Sequence, residues 1–162
     1  MLGGYNQGTR YSAKLNQCEK LVADLSWQRI SDMREVRCDF NPCLWEDTVY
    51  VCGLTEGDSC SIEAMNLNAE YFIPTQISFP NSDACCLYIE QDQLVVLSFD
   101  HIRKYKRTTL GQLALKDEDE IHESSKAQNS QPVVMSGRLY VTRLGECRAF
   151  DLETGKCLEK IS

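Results

Sequence analysis

The sequence is poor in histidine, with only His101 and His122, and none of its nine cysteines falls in a Cys-x-x-Cys spacing. Neither histidine sits in a nucleophile or zinc-ligand motif, which leaves little from which to build a general base or a metal centre. A phosphate-binding loop is missing too, because Gly3-Gly4 and Gly8 lack the Lys-Ser/Thr that completes such a motif. No apolar stretch approaches the roughly 18 residues of a membrane span. The amino-terminal Met1-Leu2-Gly3-Gly4-Tyr5 has neither the basic start nor the apolar core of a secretion signal. Basic residues are in the minority, 17 against 24 acidic for a net charge of -7, which disfavours capture of nucleic acid or anionic membrane. The expectation is a cytoplasmic chain without catalytic residues, metal or cofactor, whose partners are proteins.

The cysteines are Cys18, Cys38, Cys43, Cys52, Cys60, Cys85, Cys86, Cys147 and Cys157. An odd number without a secretion signal argues against a disulfide framework. Several lie in apolar runs, as Cys52 does after Val49-Tyr50-Val51, where a thiol packs as a small hydrophobe. Cys85 and Cys86 are adjacent, and successive strand residues point to opposite faces, so joint ligation of a metal is unsuited to them.

What is present is a repeat. Val49-Tyr50-Val51, Leu94-Val95-Val96 and Leu139-Tyr140-Val141 have centres 45 residues apart both times, and Trp27 and Phe72 repeat the same interval in a second register. Each apolar run follows another across a short turn: Glu46-Asp47, Gln91-Asp92 and Ser136-Gly137. That pattern predicts hairpins. Further strands at Ser61 to Met65, His101 to Tyr105 and Cys147 to Asp151 give three or four short strands per period. Inner strands buried on both faces read as continuous apolar runs. The period suits the four-stranded antiparallel blades of a β-propeller, and the turns and β-branched content exclude helical arrays of similar period.

Gly3-Gly4, then Trp27, Ile30, Met33 and Arg37, resemble the later part of a kelch repeat, in which an apolar strand ends in two glycines and a tryptophan and an arginine follow. The next period keeps Tyr50 and Gly53, with Leu54 at the second glycine and Phe72 at the tryptophan; Leu97-Ser98 and Thr142-Arg143 stand at the glycines of the last two. Ala149 to Gly155 is similar instead to the strand and turn of quinoprotein-like and WD-repeat propellers, with Asp151 and Thr154 bracing the turn. The resemblance implies an all-β partial propeller of about three and a half blades. The parts are a first blade over 1–36 with only its later strands, a second over 37–82, a third over 83–115, an acidic and polar insertion over 116–131, and a fourth over 132–162. Half a ring leaves blade faces open, for which the reading is a fragment of a longer protein, with a dimer completing a ring or a covered open arc as the alternatives.

Asp117-Glu118-Asp119-Glu120 and Glu123 could hold a hard cation, but without the spaced ligands of a calcium loop they read as a solvated insertion, with Ser124 and Ser125 as possible phosphorylation sites. His101, Arg103, Lys104, Lys106 and Arg107 alternate with Ile102 and Tyr105, as in an exposed edge strand with one face in water; docking onto Asp117 to Glu120 or onto an acidic partner is the alternative. The resemblance implies a binding module that recruits a protein through inter-strand loops. Here those are Asn6, Gln7 and Arg10, then Thr55, Glu56 and Asp58, then Arg143. The alternatives are a piece of a propeller enzyme whose site lies in other blades, or a structural part of a larger assembly.

Overall fold

Two-residue turns organise the chain locally. Gln91 and Asp92 take φ of 46° and 59°, and Ser136 and Gly137 take 54° and 74°. These left-handed values match the twist of the flanking strands and favour tight hairpins. The computed structural model describes residues 2–6, 13–55, 59–80, 86–97, 101–120, 133–143, 146–154 and 156–161. Among them there is no helix, and every strand pairs antiparallel to its neighbour in sequence.

The chain divides into two compact units, Met1–Asn81 and Ser82–Ser162. The first holds sheet I, formed by β1 (Leu2–Asn6), β2 (Ala13–Leu21) and β3 (Trp27–Arg29), and sheet II, formed by β4 (Cys38–Trp45), β5 (Thr48–Leu54), β6 (Ser59–Asn66) and β7 (Phe72–Pro80). The second holds sheet III, with β8 (Cys86–Glu90), β9 (Gln93–Leu97), β10 (His101–Arg107) and β11 (Leu113–Glu120), and sheet IV, with β12 (Val133–Met135), β13 (Arg138–Arg143), β14 (Glu146–Asp151) and β15 (Cys157–Ile161). Each sheet is a simple meander.

Within each unit the two sheets pack face to face. In the first, Cys18 and Met33 meet Val51, Met65 and Phe72, with Ile30 and Val49 at the margin. In the second, Tyr88, Val95, Leu97 and Ile102 meet Leu139, Phe150 and Leu152, with Cys157 alongside. Strand alternation explains the selection: Val49 and Val51 turn one way and Tyr50 the other. All five residues of β9 are buried, which accounts for the unbroken apolar run Leu94 to Leu97.

Three expectations change. Sheet I has three strands, because Leu2–Asn6 is itself a strand paired with β2. Lys116 to Glu120 are not the start of an insertion: they complete β11, where Asp117, Glu118, Asp119 and Glu120 lie opposite Lys104, Arg103, Ile102 and His101. Opposite charges directly across a ladder stabilise the pairing. For the same reason β10 is no edge, since it pairs with β9 on its other side. The remainder of the expected insertion, 121–131, with Glu123, Ser124 and Ser125, lies outside the described residues.

Candidate interaction surface

The most constrained polar group lies between sheets I and II. Arg37 is fully buried and Glu63 is 1% exposed, with Arg37 Nη2 donating to Glu63 Oε1 at 2.7 Å. Glu63 also accepts the backbone N–H groups of Arg34 at 2.9 Å and Glu35 at 3.1 Å. Glu63 lies opposite Val51 in β5 and so faces sheet I. It therefore clasps the segment that crosses from one sheet to the next. Arg37 goes on to donate to the carbonyls of Ser61 at 2.7 Å and Gly53 at 3.2 Å, to Ser61 Oγ at 2.8 Å and to Glu35 at 3.1 Å. Ser61 Oγ donates in turn to Glu35. A buried charge without a partner is expensive, and this one has five acceptors.

Gly53 and Ser61 flank the hairpin between β5 and β6, so the cluster roots that loop. Thr55 closes it: its N–H and hydroxyl donate to the Ser59 carbonyl at 2.8 and 2.9 Å. Thr55 is thus buried in the loop's base, while Glu56 and Asp58 lie outside the described residues. Asn6 ends β1 and Arg143 ends β13; Gln7 and Arg10 lie outside the described residues. The three expected loops join β1 to β2, β5 to β6 and β13 to β14; in sheets II and IV this is the hairpin between second and third strands, and in the three-stranded sheet I that between first and second.

The repeat residues behave unequally. Tyr50 is buried with its ring 6.1 Å from that of Trp45, and Phe72 is buried between the sheets. Trp27, its counterpart in the repeat, is 55% exposed. Gly3 and Gly4 lie in β1, beside an irregularity in its pairing with β2 between Leu2 and Gly4. Among the described residues no three histidine, cysteine or acidic side chains come together as for a metal, and Cys18, Cys43, Cys52, Cys60, Cys147 and Cys157 form no disulfide. Burial pushes the Cys43 thiol above its ordinary pKa, making it a poorer nucleophile.

At the turn after β14, Asp151 accepts from the N–H of Thr154 at 2.7 Å, the Thr154 hydroxyl at 2.9 Å and the N–H of Glu153 at 3.0 Å. These bonds, the Thr154 amide first, hold its carboxyl below the usual carboxylate range. Gly155 lies outside the described residues. In sheet III, Arg103 Nε meets Glu118 Oε1 at 2.7 Å, with His101 Nε2 3.9 Å from the same oxygen. Glu63 and Glu118 were the partners the sequence hid, one inside the apolar run Ser61 to Met65 and the other inside an acidic run.

No family model and no curated protein matches the chain. Among solved structures it is similar to a functionally unknown protein from Desulfotomaculum acetoxidans DSM 771, with a TM-score of 0.57 and 15% identity over 91% of this chain. The chain spans 51% of that protein's length. At this identity the likeness concerns the fold alone.

Proposed function

We propose that the chain is a non-catalytic protein-interaction module built on kelch-type β-propeller blades, and that it works in the cytoplasm. The 45-residue repeat, the meander sheets stacked face to face and the Gly3-Gly4, Trp27 and Arg37 pattern support the kelch-type reading. One observation carries the binding role: two of the candidate loops, those of sheets II and IV, recur at the same hairpin of their own sheets, and the one in sheet II is rooted by the buried Arg37 cluster. A loop fixed at its base loses little further entropy when it binds, which favours recognition by its tip.

The test begins with partner capture and mass spectrometry, followed by titration of the identified partner. The variants are Asn6→Ala with Gln7→Ala and Arg10→Ala, Glu56→Ala with Asp58→Ala, and Arg143→Ala. At least one loop set is expected to weaken binding about tenfold or more, the equivalent of ~1.4 kcal/mol, with the far-ultraviolet spectrum unchanged. Wild-type affinity in all three sets overturns the proposal.

A further inference from the structure

The two stacked joints inside the molecule have a counterpart on its surface. Sheet III presents Tyr88, Val95 and Ile102 to sheet IV, and all three are buried there, at 9%, 1% and 1% exposure. One period later stand Val133, Tyr140 and Cys147, on the face of sheet IV that turns away from sheet III. Val133 is 59% exposed, Met135 beside it 58%, and Ile161, opposite Cys147, 47%. This face therefore repeats the covered face of sheet III, with Tyr140 and Cys147 half-buried and its margin at Val133, Met135 and Ile161 exposed.

Sheet I offers the other half of the joint. In sheet II the cross-strand neighbours Met65 and Phe72 face sheet I and are buried. In sheet I the equivalent neighbours are Leu21 and Trp27. They lie on the face away from Cys18 and are 52% and 55% exposed. Among the described residues the sheet IV face carries Arg138 with Glu159 and Asp151, and the sheet I face Arg29 with Glu19, so each face offers a base to the other's acid.

We propose that the Val133, Met135, Tyr140 and Ile161 face of one copy is covered by the Leu21 and Trp27 face of a second copy, stacked as sheets I and II are stacked. The occupant is this chain because each open face is the repeat equivalent of a face that another of its own sheets covers. Such a joint is heterologous, with different surfaces on the two sides, so it either closes or propagates. It goes beyond the loop proposal, since sheet faces and hairpin loops are separate surfaces; loss of either activity leaves the other intact.

Light scattering on purified full chain at about 20 µM, a concentration above a micromolar Kd, tests it. The wild type is expected at twice the chain mass if the joint closes, or at a larger multiple if it propagates. Trp27→Glu and Met135→Glu are each expected to give the monomer mass with an unchanged circular-dichroism spectrum, both positions being exposed. An equimolar mixture of the two variants is expected to recover a dimer, because one copy keeps its sheet I face and the other its sheet IV face. Leu21→Glu and Val133→Glu repeat the test if either first variant fails to fold. A monomeric wild type, an association that survives either variant, or a mixture that stays monomeric overturns the proposal.

Discussion

Arg37 and Glu63 show how a single pair can decide a local structure. Removing one partner of a buried ion pair leaves the other charge stranded, at a cost of about 3–5 kcal/mol. Arg37→Met is expected to lose that much in urea unfolding, against a total of roughly 5–15 kcal/mol for a domain. The double variant Arg37→Met with Glu63→Leu recovers most of it; equal losses in the single and double variants contradict the coupling. Asp151 is the other residue whose charge matters. Its folded carboxyl titrates below its unfolded value, so its contribution is present above the unfolded pKa and fades as pH falls through the folded one. The protection of the Thr154 amide against hydrogen exchange, relative to its intrinsic rate at each pH, is expected to fall on acidification through that range, and Asp151→Asn removes this pH dependence. Arg37 stood out in the sequence by its place after Trp27, Ile30 and Met33. Glu63 did not, because one acid in a strand that is otherwise apolar gives no sign of which way it turns or of what awaits it.

At the scale of strands, most of the architecture could be read from turns and apolar runs. The two-residue turns Glu46-Asp47, Gln91-Asp92 and Ser136-Gly137 each join the strands expected of them. The end of β11 could not be read so, since Asp117 to Glu120 has neither alternation nor apolar content. It is a strand because a basic strand lies beside it. Glu118→Lys places like charges opposite Arg103 and is expected to cost about 1 kcal/mol, with faster amide exchange along β11. An unchanged exchange pattern removes the electrostatic account. Trp27 and Phe72 share a repeat position but not an environment. Phe72→Ala is expected to destabilise the monomer by about 3–5 kcal/mol through the cavity it leaves. Trp27→Ala in the monomer stays within ~0.5 kcal/mol, as exposed positions do. Urea midpoints at equal slope separate the two, and a similar loss for both contradicts the assignment of burial.

For the molecule as a whole, the repeat ties sequence to packing: a shift of 45 residues carries Tyr88, Val95 and Ile102 onto Val133, Tyr140 and Cys147. The shift explains why two sheet faces resemble buried ones while remaining open. The loops could be located from the turns between repeats, but their chemistry could not, since loop residues answer to a partner and not to the fold. The central claim, that these sheets are propeller blades, concerns how all four are arranged. A crystal structure of the chain tests it most directly. The account predicts that the first strands of the four-stranded sheets, β4, β8 and β12, converge on a common axis, with β7, β11 and β15 at the rim. Sheets stacked as flat parallel layers, with β4, β8 and β12 sharing no axis, contradict it.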